Sequence, residues 1–148
     1  MDLTKRSISE IKLNDDTYRF IIVSDTHSSL HAKISNLINE NTYVIHSGDI
    51  GNIDILNNLQ SLAKGVFAVN GNNDAHANLP NIYSITTQFG NIVVEHGDVY
   101  SSSDYHGSLR SSYPSTNFII YGHTHKHISD MTTTPYIINP GSSSSGDT

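Results

Sequence analysis

Residues 20–27 read Phe-Ile-Ile-Val-Ser-Asp-Thr-His, an apolar run that stops abruptly at a polar cluster. Four apolar residues in succession are typical of a strand buried on both faces, and the polar cluster marks its end. Residues 43–45 and 65–69 repeat the pattern, and segments with helical spacing of apolar residues separate the three runs. Strands that alternate with helices predict a parallel sheet in an α/β fold.

Two helices are predicted between these strands, because apolar residues recur there every three or four positions. The first group is Leu30, Ile34, Leu37 and Ile38, and the second, preceded by Asp54 as a cap, is Ile55, Leu56, Leu59 and Leu62. Further along, residues 82–87 and 92–94 flank a hairpin signal at Phe89-Gly90-Asn91. Two last strands are predicted at residues 118–121 and 135–138.

The remaining segments carry weaker signals. Residues 101–116 are rich in Ser, Tyr and Asp, and we expect a loop there with at most a poor helix. We expect a single domain over residues 1–148, with a polar lead-in at 1–17 and a flexible tail at 143–148.

Composition narrows the chemistry. The chain has 148 residues, no cysteine, a net charge of −6 and nine histidines against eight lysines and arginines. Disulfides, thiolate metal sites and cysteine nucleophiles are therefore excluded, and charge-driven binding of nucleic acid is disfavoured. The sequence offers no run of the roughly 18 apolar residues that a membrane span needs, and no secretory signal, so we expect a cytoplasmic protein.

Polar clusters follow the predicted strands, each at a carboxyl end. In open α/β sheets, ligands bind beyond these ends, so the clusters should converge on one site. Alone, Asp-x-His, Gly-Asp and Gly-Asn-Asn-Asp are typical of ordinary turns, and His-x-His is ambiguous. Their conjunction, in order, predicts a metal site built from His, Asp and Asn. In Asp-x-His and His-x-His, two side chains in extended backbone would point the same way. The clusters contain Asp25 and His27; Asp49; Asn72, Asn73 and Asp74; His96; and His123 and His125.

The other histidines lack this placement. We expect His46, which lies on a buried strand, to be a hydrogen-bonded core residue. His31 is expected on the exposed side of a helix, His76 and His106 in loops, and His127 either behind the metal ligands or in solvent.

Five motifs in this order resemble the signature blocks of the calcineurin-like metallophosphoesterase superfamily, over residues 20–143. They are Asp25-x-His27, Gly48-Asp49, Gly71-Asn72-x-Asp74, His96-Gly97 and Gly122-His123-x-His125. The short chain, Tyr100 after His96-Gly97, and the ending Asn139-Pro140-Gly141-Ser142 are similar to the small single-domain YfcE-like phosphodiesterase branch.

The resemblance implies a four-layer α/β/β/α sandwich and two divalent metal ions. A set of oxygen and nitrogen ligands suits manganese, iron, nickel or zinc better than magnesium or calcium, and manganese is our first choice. One ion would take Asp25, His27, Asp49 and His125, and the other Asp49, Asn72, His96 and His123. Asp49 would bridge the ions, and a hydroxide between them would attack phosphorus. The catalytic set implied is Asp49, Asn72, Asp74 and His96, with Asp74 orienting the ligands.

Two positions depart from the family pattern. Many members carry a histidine, able to protonate the leaving group, where this chain has Asn73. Asp98 likewise replaces the last residue of the His-Gly-His motif that is frequent in the small branch. Asn73, Asp98 and Tyr100 are our candidates for contact with substrate.

Three functions are compatible with this reading. The first is a metal-dependent phosphoesterase that hydrolyses phosphodiesters. The alternatives are a protein-binding scaffold on the same fold, as in the retromer subunit that resembles this family, and a phosphomonoesterase acting on small molecules. The complete set of inferred ligands favours an enzyme. The expected partner is a phosphate ester, and the sequence leaves open whether the chain forms a homo-oligomer.

Overall fold

The computed structural model describes residues 6–74, 76, 78–100 and 104–144, and in this part of the chain it has nine strands and three helices. The helices are α1 (Ala32–Ser35), α2 (Asp54–Leu62) and α3 (Tyr105–Ser112). The strands are β1 (Ile8–Lys12), β2 (Phe20–Val23), β3 (Tyr43–His46), β4 (Gly65–Ala68), β5 (Ile82–Thr87), β6 (Gly90–Glu95), β7 (Phe118–Ile120), β8 (Ile128–Asp130) and β9 (Tyr136–Asn139). None of these helices is long and apolar enough to cross a membrane.

The strands form two sheets. One is the predicted parallel sheet, in the order β2-β3-β4, and the other is mixed, in the order β1-β5-β6-β7-β9-β8. The predicted hairpin is confirmed, since β5 pairs antiparallel with β6 and Thr87 stands opposite Gly90. All other neighbours except β8 and β9 are parallel, so most strands end at the same edge of the sandwich.

Three apolar clusters separate four layers, which confirms the α/β/β/α sandwich. Val44, Leu56 and Leu59 belong to the cluster between the small sheet and its helices. Ile45, Val94 and Ile120 belong to the cluster between the sheets, and Leu109 packs with Ile119 in the cluster beneath α3. Val44 and Ile45 are both fully buried because the sheet is covered on both faces, as an unbroken apolar run predicts.

Several predicted boundaries are wrong. The first helix is a single α turn, because the chain continues from Ile34 with tighter turns in which Leu37 N–H and Ile38 N–H bond three residues back. Segment 101–116 contains a two-turn helix, α3, whose N-terminus is capped where Gly107 N–H donates to Asp104 at 3.2 Å. β8 was not predicted, since it is short and mostly exposed.

The lead-in interpretation of residues 1–17 is also wrong for β1. Ile8–Lys12 adds a parallel edge strand to the large sheet, with Ile11 opposite Ile85. Only Ile11 of this strand packs against the inter-sheet core, while Ile8 is 59% exposed, so the apolar alternation that marks a strand is missing. Arg6, just before β1, forms an ion pair with the buried Glu95 at 3.1 Å.

The predicted flexible tail begins too early, because Ser143 and Ser144 are buried. Ser143 exchanges two hydrogen bonds with Ser24: its N–H donates to Ser24 O at 2.8 Å, and its Oγ accepts from Ser24 N–H at 3.2 Å. Ser142 Oγ donates to Asp25 O at 3.0 Å. Residues 142–144 therefore hold the backbone that follows β2. Residues 145–148 lie outside the described residues.

Replacing Ser143 with alanine should destabilise the protein, because the buried Ser24 N–H then loses its acceptor. We expect Ser143→Ala to lower the free energy of unfolding by about 1–3 kcal/mol. The matched control is Ser115→Ala at an exposed serine, which should change stability by less than about 0.5 kcal/mol. Urea unfolding of both variants measures the difference, and equal midpoints would contradict the role given to Ser143.

Candidate metal centre

Five of the predicted ligands meet where the chain leaves the strands. Asp25 and His27 follow β2, Asp49 follows β3, His96 follows β6, and His125 lies in the turn after β7. Their donor atoms form two clusters, each within 4.8 Å: Asp25, His27 and His125, and Asp25, Asp49 and His96. The parallel strands therefore bring together chemical groups that are up to 100 residues apart in sequence.

The donor atoms form a closed ring. His27 Nε2 is 3.3 Å from His125 Nε2, which is 3.3 Å from Asp25 Oδ1. Asp25 Oδ1 is 3.9 Å from His96 Nε2, and His96 Nε2 is 3.4 Å from Asp49 Oδ2. Asp49 Oδ2 completes the ring at 4.0 Å from His27 Nε2. Asp49 Oδ2 therefore lies close to His27, which belongs to the first cluster, and to His96, which belongs to the second.

Two of these atoms fit a cation for a specific reason. Asp25 Oδ1 and His96 Nε2 are buried, and neither has a hydrogen-bond partner among the described residues. Their neighbouring atoms are satisfied: Asp25 Oδ2 accepts from Ser24 Oγ and His123 N–H, and His96 Nδ1 donates to Ser47 O at 2.8 Å. His96 Nε2 therefore presents its lone pair beside two carboxylates, as a metal ligand does.

The electrostatics of the side chains at this centre favour positive charge. Burial opposes ionisation of Asp49, but the nearby His96 imidazole, with Nε2 3.4 Å from Oδ2, and the hydrogen bonds from Asn73 hold its pKa well below the usual range. Burial likewise opposes the charged form of His96, while Asp49, Ser47 and Asp25 raise its pKa overall. A proton on His96 and a bound cation would both offset the two carboxylates, so they compete for the same place.

The backbone at these residues is strained. Asp25, His27, Asp49, His123 and His125 all have φ between 46° and 68°, in the left-handed region. The expectation of extended backbone in Asp-x-His and His-x-His is therefore wrong. The side chains converge through sharp turns instead, and each such residue costs about 1–3 kcal/mol. Strain of this kind concentrates at functional sites.

Glycines let these turns approach one another. A Cβ on Gly122 would lie 2.0 Å from Ser24 Oγ and 2.6 Å from Asp25 Oδ2. A Cβ on Gly71 would lie 2.2 Å from Asp49 Oδ1. Both positions therefore require the absence of a side chain.

The other two predicted ligands lie outside the ring. His123 packs edge to face on His96, with ring centroids 5.2 Å apart, and its backbone N–H donates to Asp25 Oδ2 at 3.1 Å. Asn72 is exposed in the turn after Gly71.

Asn73 and Asp74 contact the loop that carries Asp49. Asn73 donates to both oxygens of Asp49, from its backbone N–H at 3.0 Å and from Nδ2 at 2.9 Å. The carboxylate of Asp74 accepts from the N–H groups of Ile50, Gly51 and Gly71. Asn73 therefore orients the Asp49 carboxylate, and Asp74 holds the two loops against each other.

Asp98 and Tyr100 are not brought to the ring. The Tyr100 hydroxyl donates to Glu95 Oε2 at 3.1 Å, in the cluster that includes Arg6 and Tyr113. Asp98 is half-buried and its carboxylate belongs to neither group of donor atoms.

His46 supports the site from behind, and its prediction as a hydrogen-bonded core residue is confirmed. Its side chain is fully buried, which lowers its pKa to about 3 and keeps it neutral. Nδ1 accepts from Gly48 N–H at 3.1 Å, so Nε2 donates to Thr26 Oγ1 at 3.0 Å, and Thr26 donates on to Ile50 O. Thr26, which the sequence analysis did not single out, thereby joins the loops of Asp25 and Asp49.

The remaining histidines differ in role. His31 caps α1 by accepting from Lys33 N–H, and His127 is exposed. His76 lies in a loop as predicted, with Nε2 3.0 Å from Gly51 O. His106 lies on α3, where it contacts Asp130 at 2.5 Å, so its prediction as a loop residue is wrong.

Comparison with known proteins shows the family of the chain. Residues 18–147 match the family model of the calcineurin-like phosphoesterase superfamily domain. A protein of Methanocaldococcus jannaschii, named as a probable metallophosphoesterase, is 33% identical over 82% of this chain, which spans 66% of that relative's length.

Solved structures show the same fold. Vps29 of Entamoeba histolytica complexed with Zn²⁺ has a TM-score of 0.72 and 21% identity, over 83% of this chain and 73% of that one. A Streptococcus pneumoniae protein described as a predicted phosphoesterase has a TM-score of 0.65 and 22% identity, over 83% and 71% of the two chains. The family match and the curated relative, together with a centre built from its signature motifs, lead to one conclusion: the chain belongs to the calcineurin-like phosphoesterase superfamily.

Proposed function

We propose that this protein is a dinuclear-metal-dependent phosphoesterase that acts on phosphodiesters, with manganese as its preferred metal and the cytoplasm as its location. The observation that carries the proposal is a pair of buried atoms, Asp25 Oδ1 and His96 Nε2, which lie 3.9 Å apart and have no hydrogen-bond partner among the described residues. Leaving such atoms unpaired costs free energy, which a bound cation would recover.

The proposed ligands divide into two sets. One metal would be held by Asp25, His27, Asp49 and His125. The other would be held by Asp49, Asn72, His96 and His123, with Asp49 shared. Divalent ions bound there would supply Lewis acidity and a water of lowered pKa, the chemistry that hydrolysis of a phosphate ester requires.

The other polar residues of the loops orient these ligands. Asn73 fixes the rotation of the Asp49 carboxylate through its two hydrogen bonds, and Ser47 O selects the tautomer of His96 that leaves Nε2 free. Asn73 carries no proton that it can release to a leaving group. The departing oxygen must therefore be stabilised without an acid at this position.

A protein-binding scaffold is the second candidate, favoured by the structural likeness to Vps29. Vps29 of Chaetomium thermophilum, with a TM-score of 0.68 and 16% identity over 85% of this chain and 70% of that one, has been solved in complex with a cyclic peptide. A scaffold does not require catalysis, so the two candidates differ in whether a metal-loaded protein turns over substrate.

Metal add-back should separate the candidates. After chelation, bis(p-nitrophenyl) phosphate and p-nitrophenyl phosphate are offered with Mn²⁺, Fe²⁺, Ni²⁺ or Zn²⁺ added singly. We expect Mn²⁺ to restore hydrolysis, fastest on the diester. Asp25→Asn should abolish it, whereas Glu40→Gln, at an exposed carboxylate elsewhere, should not. A protein that binds Mn²⁺ in calorimetry yet hydrolyses neither ester would favour the scaffold.

Loss of Asp49 should be more damaging than loss of a histidine that serves one metal. We expect the fall in kcat/KM for Asp49→Ala to exceed the roughly 10–100-fold typical of residues that only orient ligands. His27→Ala, at an exposed position, should retain one bound Mn²⁺. Activity assays and metal stoichiometry measure both effects, and near-normal activity of Asp49→Ala would refute the bridging role.

The rate should depend steeply on the pKa of the leaving group, because Asn73 cannot act as a general acid. A general acid contributes about 10²–10⁴-fold, most for poor leaving groups. Introducing one with Asn73→His should flatten the dependence across a series of aryl and alkyl phosphodiesters, while Asn73→Ala, which removes only the amide, should not. A shallow slope in the unmodified protein would indicate that another residue already donates the proton.

A further inference from the structure

A cavity of about 340 Å³ opens between the two sheets, at the end of the sandwich opposite the metal centre. Its lining includes Phe20 and Phe118, which begin β2 and β7, whereas the residues of the centre follow the other ends of those strands. Neither Asp25 nor His123 lines the cavity. The cavity belongs to neither the metal centre nor its supporting loops.

The walls come from both sheets and are apolar. Ile22 and Ile45 line the side of the small sheet, and Ile92, Ile120 and Ile138 line the side of the large one. Side chains of the inter-sheet core normally interdigitate and leave few voids larger than a water molecule. Here the partly buried Ile22, Ile92 and Ile138 border a space within the roughly 300–1,000 Å³ range of ligand pockets, and the buried Ile45 and Ile120 lie at its floor.

The polar groups of the lining are already engaged. The Tyr18 hydroxyl donates to Gln88 Oε1 at 2.8 Å and accepts from Asp15 N–H at 2.9 Å. Thr87 Oγ1 donates to Gly90 O at 2.9 Å and accepts from Phe89 N–H at 3.0 Å. Among the described residues that line the cavity, none is an acid or a base that would be charged at neutral pH. An ion or a hydrogen-bonding ligand would lose water there without a replacement partner.

An exposed aromatic ring forms part of the rim. Phe89, at the turn between β5 and β6, is 69% exposed and contacts Tyr18 edge to face, with centroids 5.9 Å apart. Tyr18 stacks in turn on Phe20 at 5.7 Å. The rim therefore offers aromatic surfaces to a flat molecule that enters between the sheets.

We propose that this cavity is a binding site for a compact, uncharged apolar molecule, an aromatic ring system of about two fused rings or a branched hydrocarbon of similar size. The size limit follows from volume, because an apolar cavity of about 150 Å³ accommodates benzene. We infer an uncharged ligand because the described lining residues include no charged side chain that could pair with an ion. The site is independent of the proposed hydrolysis.

Indole is a suitable neutral probe, titrated into protein with ¹³C-labelled isoleucine methyl groups and followed by NMR. We expect saturable shifts at Ile22, Ile45, Ile92, Ile120 and Ile138, and none at Ile55 on α2 or at Ile128 on β8. Indole-3-acetate, which adds a carboxylate, should bind at least about tenfold more weakly because its charge must be desolvated. Shifts that do not saturate, or that spread over all isoleucines, would overturn the site.

Two variants localise the binding. Phe89→Ala removes an exposed ring and should weaken indole about threefold to tenfold, while Leu37→Ala, at a leucine that is 60% exposed, should leave the affinity unchanged. Ile92→Phe should fill the cavity and abolish saturation. If Ile92→Phe fails to fold, Phe89→Ala alone decides, and unchanged affinity there refutes the proposal. Asp25→Asn should bind indole normally, which separates this site from the metal centre.

Discussion

The buried carboxylate of Asp25 is the group to which the surrounding loops are attached. Its backbone N–H donates to Gly48 O, its backbone oxygen accepts from Ser142, and its Oδ2 accepts from Ser24 and His123. These bonds connect the ends of β2, β3 and β7 with the C-terminal segment. Only Oδ1 has no hydrogen-bond partner among the described residues, and it lies 3.3 Å from His125 Nε2. Hydrogen bonds therefore satisfy every other polar atom of Asp25, and Oδ1 is the one left to bind a cation.

This arrangement lowers the stability of a small domain. Five candidate ligands hold left-handed backbone conformations at about 1–3 kcal/mol each, and two carboxylates are withdrawn from water. A domain of this size has only about 5–15 kcal/mol of net stability. Other interactions must offset this unfavourable free energy. They are the surrounding hydrogen bonds, the close packing that the glycines permit and the three apolar clusters. Such tension between stability and function is common at active sites.

The two ends of the sandwich differ in character for a topological reason. The carboxyl ends of the parallel strands lead into turns that carry Asp and His, so polar groups accumulate there. At the opposite end the strands begin with aromatic residues such as Phe20 and Phe118, and the sheets separate around an apolar cavity. One fold therefore carries a cluster of charged groups at one end and an apolar cavity whose lining includes the first residues of β2 and β7.

Local signals in the sequence were sufficient for the α/β class, the parallel sheet, the hairpin and the order of the motifs. The apolar run before Asp25 predicts a buried strand, and Phe89-Gly90-Asn91 predicts a hairpin turn, without reference to distant residues. β1 could not be predicted, because Ile11 alone packs inward and the strand exists through its pairing with β5. α3 was predicted only as a poor helix within a loop, since Leu109 is its single buried residue.

The sequence by itself determined which residue types stand at the strand ends, and thereby the metal-binding character of the site. Tertiary structure decided how they meet. Left-handed turns, rather than extended backbone, bring Asp25 to His125, and Asn73 is directed onto Asp49. It also decided that Tyr100 bonds to Glu95 and that Ser143 packs against Ser24. These outcomes depend on contacts between segments far apart in the chain, and such contacts leave no periodic trace in the sequence around either partner.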